Sequence, residues 1–106
     1  MNTYIVRESP RSKQDAKRYI GYLRNVKMSE QAAQALYNDF RATKKELSKV
    51  AGIIQEHPNP KVRQRGLKRI NFLKHNYYFL FRIVGNVVEI AAMFHGSEDY
   101  EKKLPL

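Results

Sequence analysis

The chain holds 106 residues, enough for one domain around one core, and its 42% hydrophobic and 28% charged residues describe a globular protein, not a disordered one. It contains no cysteine, which excludes disulfides and thiolate metal sites, and no apolar run approaches the roughly 18 residues of a membrane span. Twenty Lys and Arg against ten Asp and Glu leave a formal charge of +10, a balance that favours anionic partners.

The opening, "MNTYIVRESPRSKQD", lacks the apolar centre of a signal peptide, so cytoplasm is the expected location. Residues 3–7, "TYIVR", form a short β-rich run that Ser9-Pro10 ends while opening a helix. From Ser12 onward, Ala16, Tyr19, Ile20, Leu23 and Val26 recur at three- and four-residue steps, one stripe of an amphipathic helix. Ser29 is a suitable N-cap for a second, longer helix with Ala33, Leu36, Tyr37, Phe40, Leu47, Val50 and Ile54 on one side, predicted to end near Glu56 ahead of Pro58 and Pro60. So short a link makes the two helices an antiparallel hairpin.

The stretch "LKRINFLK" reads as a strand whose uneven alternation predicts a bulge or bend. Two further strands meet at Gly85-Asn86, a two-residue turn in which both residues tolerate positive φ. That turn sets Val84 opposite Val87. It predicts the pairs Ile83/Val88, Phe81/Ile90, Phe79/Ala92 and Tyr77/Phe94 on a core face. Arg82/Glu89, Leu80/Ala91, Tyr78/Met93 and Asn76/His95 then lie on an open face. The tail after Gly96 reads as a short helical turn or strap. The expected fold is α+β: an N-terminal strand, an α-helical hairpin, then a mostly antiparallel three-stranded meander, forming one small twisted sheet with helices on one face. Residues 1–106 make a single domain.

The charge is unevenly placed. No Asp or Glu occurs from His57 through Val88, while Lys61, Arg63, Arg65, Lys68, Arg69, Lys74 and Arg82 all do. This tract includes strand residues, so it reads as an anion-binding surface for nucleic acid or an acidic protein. His57, His75 and His95 have no metal-ligand spacing, and the five glycines form neither a Walker loop nor a dinucleotide fingerprint. No metal and no nucleotide cofactor is expected. What remains is metal-free work on RNA, whose 2′-hydroxyl is the nucleophile, with cations to hold the phosphate and groups to move protons. Arg63, Arg65, Lys68, Arg69, Lys74 and Arg82 are the candidate cations, and Tyr78, His95 and Tyr100 the candidate proton carriers. Each has a structural alternative: Tyr78 as a strand-favouring aromatic or stacking platform, Arg82 paired with Glu89, His95 satisfied by hydrogen bonds, Tyr100 packing down the tail.

In order and spacing, several phrases resemble the RelE/ParE superfamily of bacterial type II toxin–antitoxin toxins. "ESPRSKQDAKRYIGYLRN" is similar to the family's strand, Ser-Pro and first helix, "GLKRINFLKHNYYFLFRI" to its central strands, and "VVEIAAMFHGSEDYEKKL" to its last strand and closing segment. The resemblance implies a growth-inhibiting toxin held by an acidic, partly disordered antitoxin, sometimes in plasmid stabilization. Its target is either DNA gyrase, as in ParE-like members, or mRNA on the ribosome, cut by a metal-free endoribonuclease (an mRNA interferase), as in RelE-like members. The chain departs from the ribonuclease pattern twice: Tyr78 stands where an Arg is frequent, and Ser97-Glu98 where two Arg are frequent. A carboxylate there opposes the charge stabilisation that cleavage needs. The alternative is a non-toxic basic RNA-binding α+β module.

Overall fold

A computed structural model describes residues 3–98, so the expectations for Tyr100 and the rest of the tail lie outside the described residues. The order is β1 (Ile5–Glu8), α1 (Pro10–Asn25), α2 (Glu30–Val50), a 3-10 turn at Ala51–Ile53, α3 (Pro60–Arg63), β2 (Lys68–Asn71), β3 (Tyr77–Val84) and β4 (Val87–His95). They form the α+β architecture expected, one four-stranded sheet in the order β1-β4-β3-β2, antiparallel except where β1 runs parallel to β4.

Both helix starts follow their sequence signals. Ser9 caps α1 by accepting from Ser12 N, with Pro10 in the first turn, and Ser29 caps α2 by accepting from Ala32 N. The second helix is shorter than its periodicity predicted. It ends at Val50, because the chain turns tightly at Gly52 beneath the Tyr4 ring, whose hydroxyl lies 2.5 Å from where a Cβ would project. Apolar stripes of both helices pack on one face of the sheet, around Leu36, Phe40, Leu47, Phe79, Phe81 and Ile90.

Two expectations need correction. β2 pairs evenly with β3, and the irregularity lies in β4: Phe81 pairs with Ile90 but Leu80 pairs with Ala92, leaving Ala91 as the extra residue of a bulge. The turn-end pairs stand as expected, whereas beyond the bulge Phe79 faces Met93, Tyr77 faces His95 and Tyr78 faces Phe94. A one-residue step exchanges the faces, so Met93 joins the helix-side core and Phe94 turns to the other side. The second correction follows. The far face is not bare: Val62 of α3 and Leu67 close over Tyr78, Leu80, Ala91, Ala92 and Phe94 as a second core. Asn59, which caps α3 by accepting from Lys61 N, and Pro60 at its start were the signals for this small cover.

The bulge is held from α1. Ser9 Oγ donates to Ala91 O at 2.9 Å, and the buried Asp15 carboxylate accepts from Met93 N at 3.1 Å while Arg11 and Arg18 approach it at 3.6 and 3.5 Å. Removing the acceptor strands a buried amide. Asp15→Ala is therefore expected to lower unfolding free energy by about 2 kcal/mol and Asp15→Asn by less, since an amide oxygen still accepts. Urea denaturation of both variants checks this, and equal stability of Asp15→Ala and the parent would contradict it.

Candidate functional site

The residues singled out for proton transfer and phosphate binding do not gather in one place. Tyr78 is 1% exposed, and the Arg69 guanidinium lies 3.8 Å above its ring centroid while donating from Nε to Asn71 Oδ1 at 2.8 Å. The expectation that Tyr78 faces an open surface is thus overturned, because alternation along β3 points it under Val62 and Leu67. Arg82 takes its pairing role, with its guanidinium 3.9 Å from Glu89, the register partner on β4. Lys68 points to the helix side and donates to Ile54 O at 2.8 Å. Arg63 donates to His57 O and Pro58 O at 3.1 and 3.3 Å. Two of these cations, Arg63 and Lys68, hold loops. Arg65 is exposed beyond α3, and Lys74 is exposed in the β2–β3 loop, past the other end of β2.

Arg69 and His57 share a cavity of 410 Å³ beside the outer edge of β2. His57 is buried, and its Nδ1 accepts from Asn59 N at 3.0 Å. Burial first, and then the nearby charges of Arg69 and Arg63, push its pKa below the ordinary 6.5.

At the end of β4, His95 Nδ1 accepts from Ser97 N at 3.2 Å and lies 2.7 Å from Ser97 Oγ, with Tyr77 edge-on to its ring. A backbone N–H donating to Nδ1 leaves the neutral ring's proton on Nε2. Glu98 accepts from His95 N and from the Tyr19 hydroxyl. Burial and the Glu98 carboxylate hold Tyr19 well above the usual tyrosine range, and the same two causes raise Tyr77. Neither phenol ionises near neutrality. The Glu98 carboxylate thus ties the end of β4 to α1.

Sequence reasoning overlooked a groove of 480 Å³ between α1 and α2. Ala16, Ile20 and Phe40 form its apolar floor, and Lys13, Lys17 and Arg41 stand around it. Its carboxylate Glu8 is already taken by Lys44 Nζ at 2.7 Å. The signal was present: Lys13 and Lys17, one helical turn apart, flank the apolar stripe through Ala16 and Ile20. Among the described residues no cluster of His, Asp or Glu is suited to a metal ion, and no helix is long and apolar enough to cross a membrane.

Across the β2–β3 loop, the buried Asp39 of α2 accepts from Lys74 N at 3.1 Å, His75 N at 2.7 Å and His75 Nδ1 at 2.7 Å. Burial raises its pKa, but the hydrogen bonds from the His75 ring and from both amides outweigh this and hold the carboxyl below its ordinary 3.8.

No family model matches the chain, and no curated protein matches it. Among solved structures it is similar to a chain of the "Chromosomal ParDE TA system from P. aeruginosa", at 15% identity and a TM-score of 0.72 over 88% of this chain and 96% of that one. At that identity the likeness establishes a shared fold, the one the sequence resemblance implied.

Both titrating groups, with pKa values held low by the fold, bind fewer protons folded than unfolded, so each makes stability rise with pH and fall away as the medium is acidified. For His57, stability is fully present above about pH 6.5 and lost as pH drops below it; for Asp39 the loss begins near pH 4 and runs toward the folded value. In a series of urea midpoints against pH, His57→Asn should flatten the upper limb and Asp39→Asn the lower. Parallel curves for parent and variants would contradict both assignments.

Proposed function

We propose that this chain, which carries the fold of a ParDE system component, is the toxin of a type II toxin–antitoxin pair and acts by binding DNA gyrase, without cutting RNA. The observation that carries the reading is the sealed far face of the sheet. An RNA-cleaving site needs a proton carrier and cations around one phosphate. Here Tyr78 is buried beneath Val62 and Leu67, Arg82 is paired with Glu89, Lys68 faces the opposite side, and Glu98 brings a carboxylate to the end of β4.

The antitoxin in this reading is an acidic segment that lies in the basic α1/α2 groove. Apolar side chains enter over Ala16 and Ile20, and carboxylates meet Lys13, Lys17 and Arg41. Such a segment orders on contact, so its affinity comes from buried apolar area and charge complementarity acting together.

Expression of the chain alone in a bacterium should stop growth. The purified protein should leave mRNA intact in a translating extract and block supercoiling by gyrase or trap cleaved DNA. Cleaved mRNA that becomes whole again on substitution at Arg65, Lys68 or Arg82 would replace this reading with the ribonuclease. Harmless expression, with RNA binding that weakens steeply with salt, would replace it with the non-toxic RNA-binding module.

A further inference from the structure

Two more hollows lie on the exposed side of α2. One, of 340 Å³, is lined by Asn38, Arg41, Ala42 and Lys45. The next, of 220 Å³, sits between α2 and the β2–β3 loop, with Ala35, Asn38, Ala42, Leu73 and Lys74 in its lining. Arg41 belongs to both the α1/α2 groove and the first hollow, and Asn38 and Ala42 belong to both hollows, so the three concavities follow one another across the helix.

The chemistry along this path is uniform. Arg41, Lys45 and Lys74 line the hollows, and the one acid there, Asp39, is turned inward to the amides of Lys74 and His75. The floor is low where Ala35 and Ala42 stand. At the far end Leu73 is 56% exposed, a large apolar side chain in an otherwise cationic setting.

We infer that the acidic segment occupying the α1/α2 groove continues over α2, placing carboxylates against Arg41 and Lys45 and a second apolar anchor beside Leu73. The inference rests on the groove being a partner site. A helix with its side chains is about 12 Å across and an extended chain advances about 3.3 Å per residue, so about four residues span the distance between the two anchors. Two linked anchors bind more tightly than one because the second engages at a high effective concentration.

The test uses two fluorescein-labelled synthetic peptides. One has a Leu-Val pair on either side of four glutamates, and the other has the second pair replaced by serines. Binding to the full chain is followed by fluorescence anisotropy. The two-anchor peptide should bind about tenfold tighter. Ala42→Tyr, which fills both hollows at an exposed position, and Leu73→Ser should each remove that advantage while leaving the one-anchor peptide unaffected. Lys17→Glu should weaken both peptides alike, and Lys27→Ser at the hairpin tip should change neither. If the tenfold advantage is absent, or survives both Ala42→Tyr and Leu73→Ser, the crossing is wrong although the groove stands. If Lys17→Glu also leaves both peptides bound as before, or if neither peptide binds at low salt, the groove reading falls with it.

Discussion

The fold turns on the bulge at Ala91 and its clamp from the first helix. Ser9 Oγ takes the Ala91 carbonyl and Asp15 takes the Met93 amide, so two polar groups that leave the sheet ladder are satisfied from α1. Without those partners the extra residue would leave buried backbone groups unpaired, at a cost comparable to a large fraction of a small domain's stability. The same clamp docks α1 on β4, so it joins the hairpin of helices to the sheet and sets which side chains each face of the sheet buries.

That exchange of faces decides what the surface can do. Met93 fills the helix-side core, while Phe94 turns to the far side and builds, with Tyr78 and Leu80, an apolar patch large enough to need its own cover. Val62 and Leu67 supply it, so the far face becomes interior. Arg69 over Tyr78 and Arg11 over Phe94 place guanidinium planes against the rings there, and cations that would serve a phosphate serve packing instead. On the helices, Lys13, Lys17 and Arg41 surround an apolar floor, and the carboxylate in that lining, Glu8, is held by Lys44.

Much of this was legible in the sequence. The Ser9-Pro10 and Ser29 starts, the three-four spacing of both helices and the Gly85-Asn86 turn are local signals, and each produced the element expected of it. The bulge was not legible, because Ala91 and Ala92 are both small and apolar and either fits a core position; only the tertiary contacts from Ser9 and Asp15 select the register. The pairings beyond the bulge went wrong with it, and with them the placement of Met93, Phe94 and His95, whereas Tyr78 lies on the face expected and is buried there by the cover of Val62 and Leu67. The charge-poor reading of Arg82 as the Glu89 partner was sound, since it depends on the turn alone. The groove was missed for a different reason: its cations lie on two helices, outside the acid-free tract that drew notice.

The cysteine-free chain permits a direct measurement of whether the far face is sealed. Leu80 and Val84 lie on the same side of β3, the first 0% and the second 68% exposed. Cysteines introduced one at a time as Leu80→Cys and Val84→Cys can be alkylated under native conditions and their rates compared. Protection by a closed core predicts a rate at Leu80→Cys at least about a hundredfold below that at Val84→Cys, set by the rare open state. Equal rates would mean that the face is open to solvent, and with it the surface a nucleotide would need.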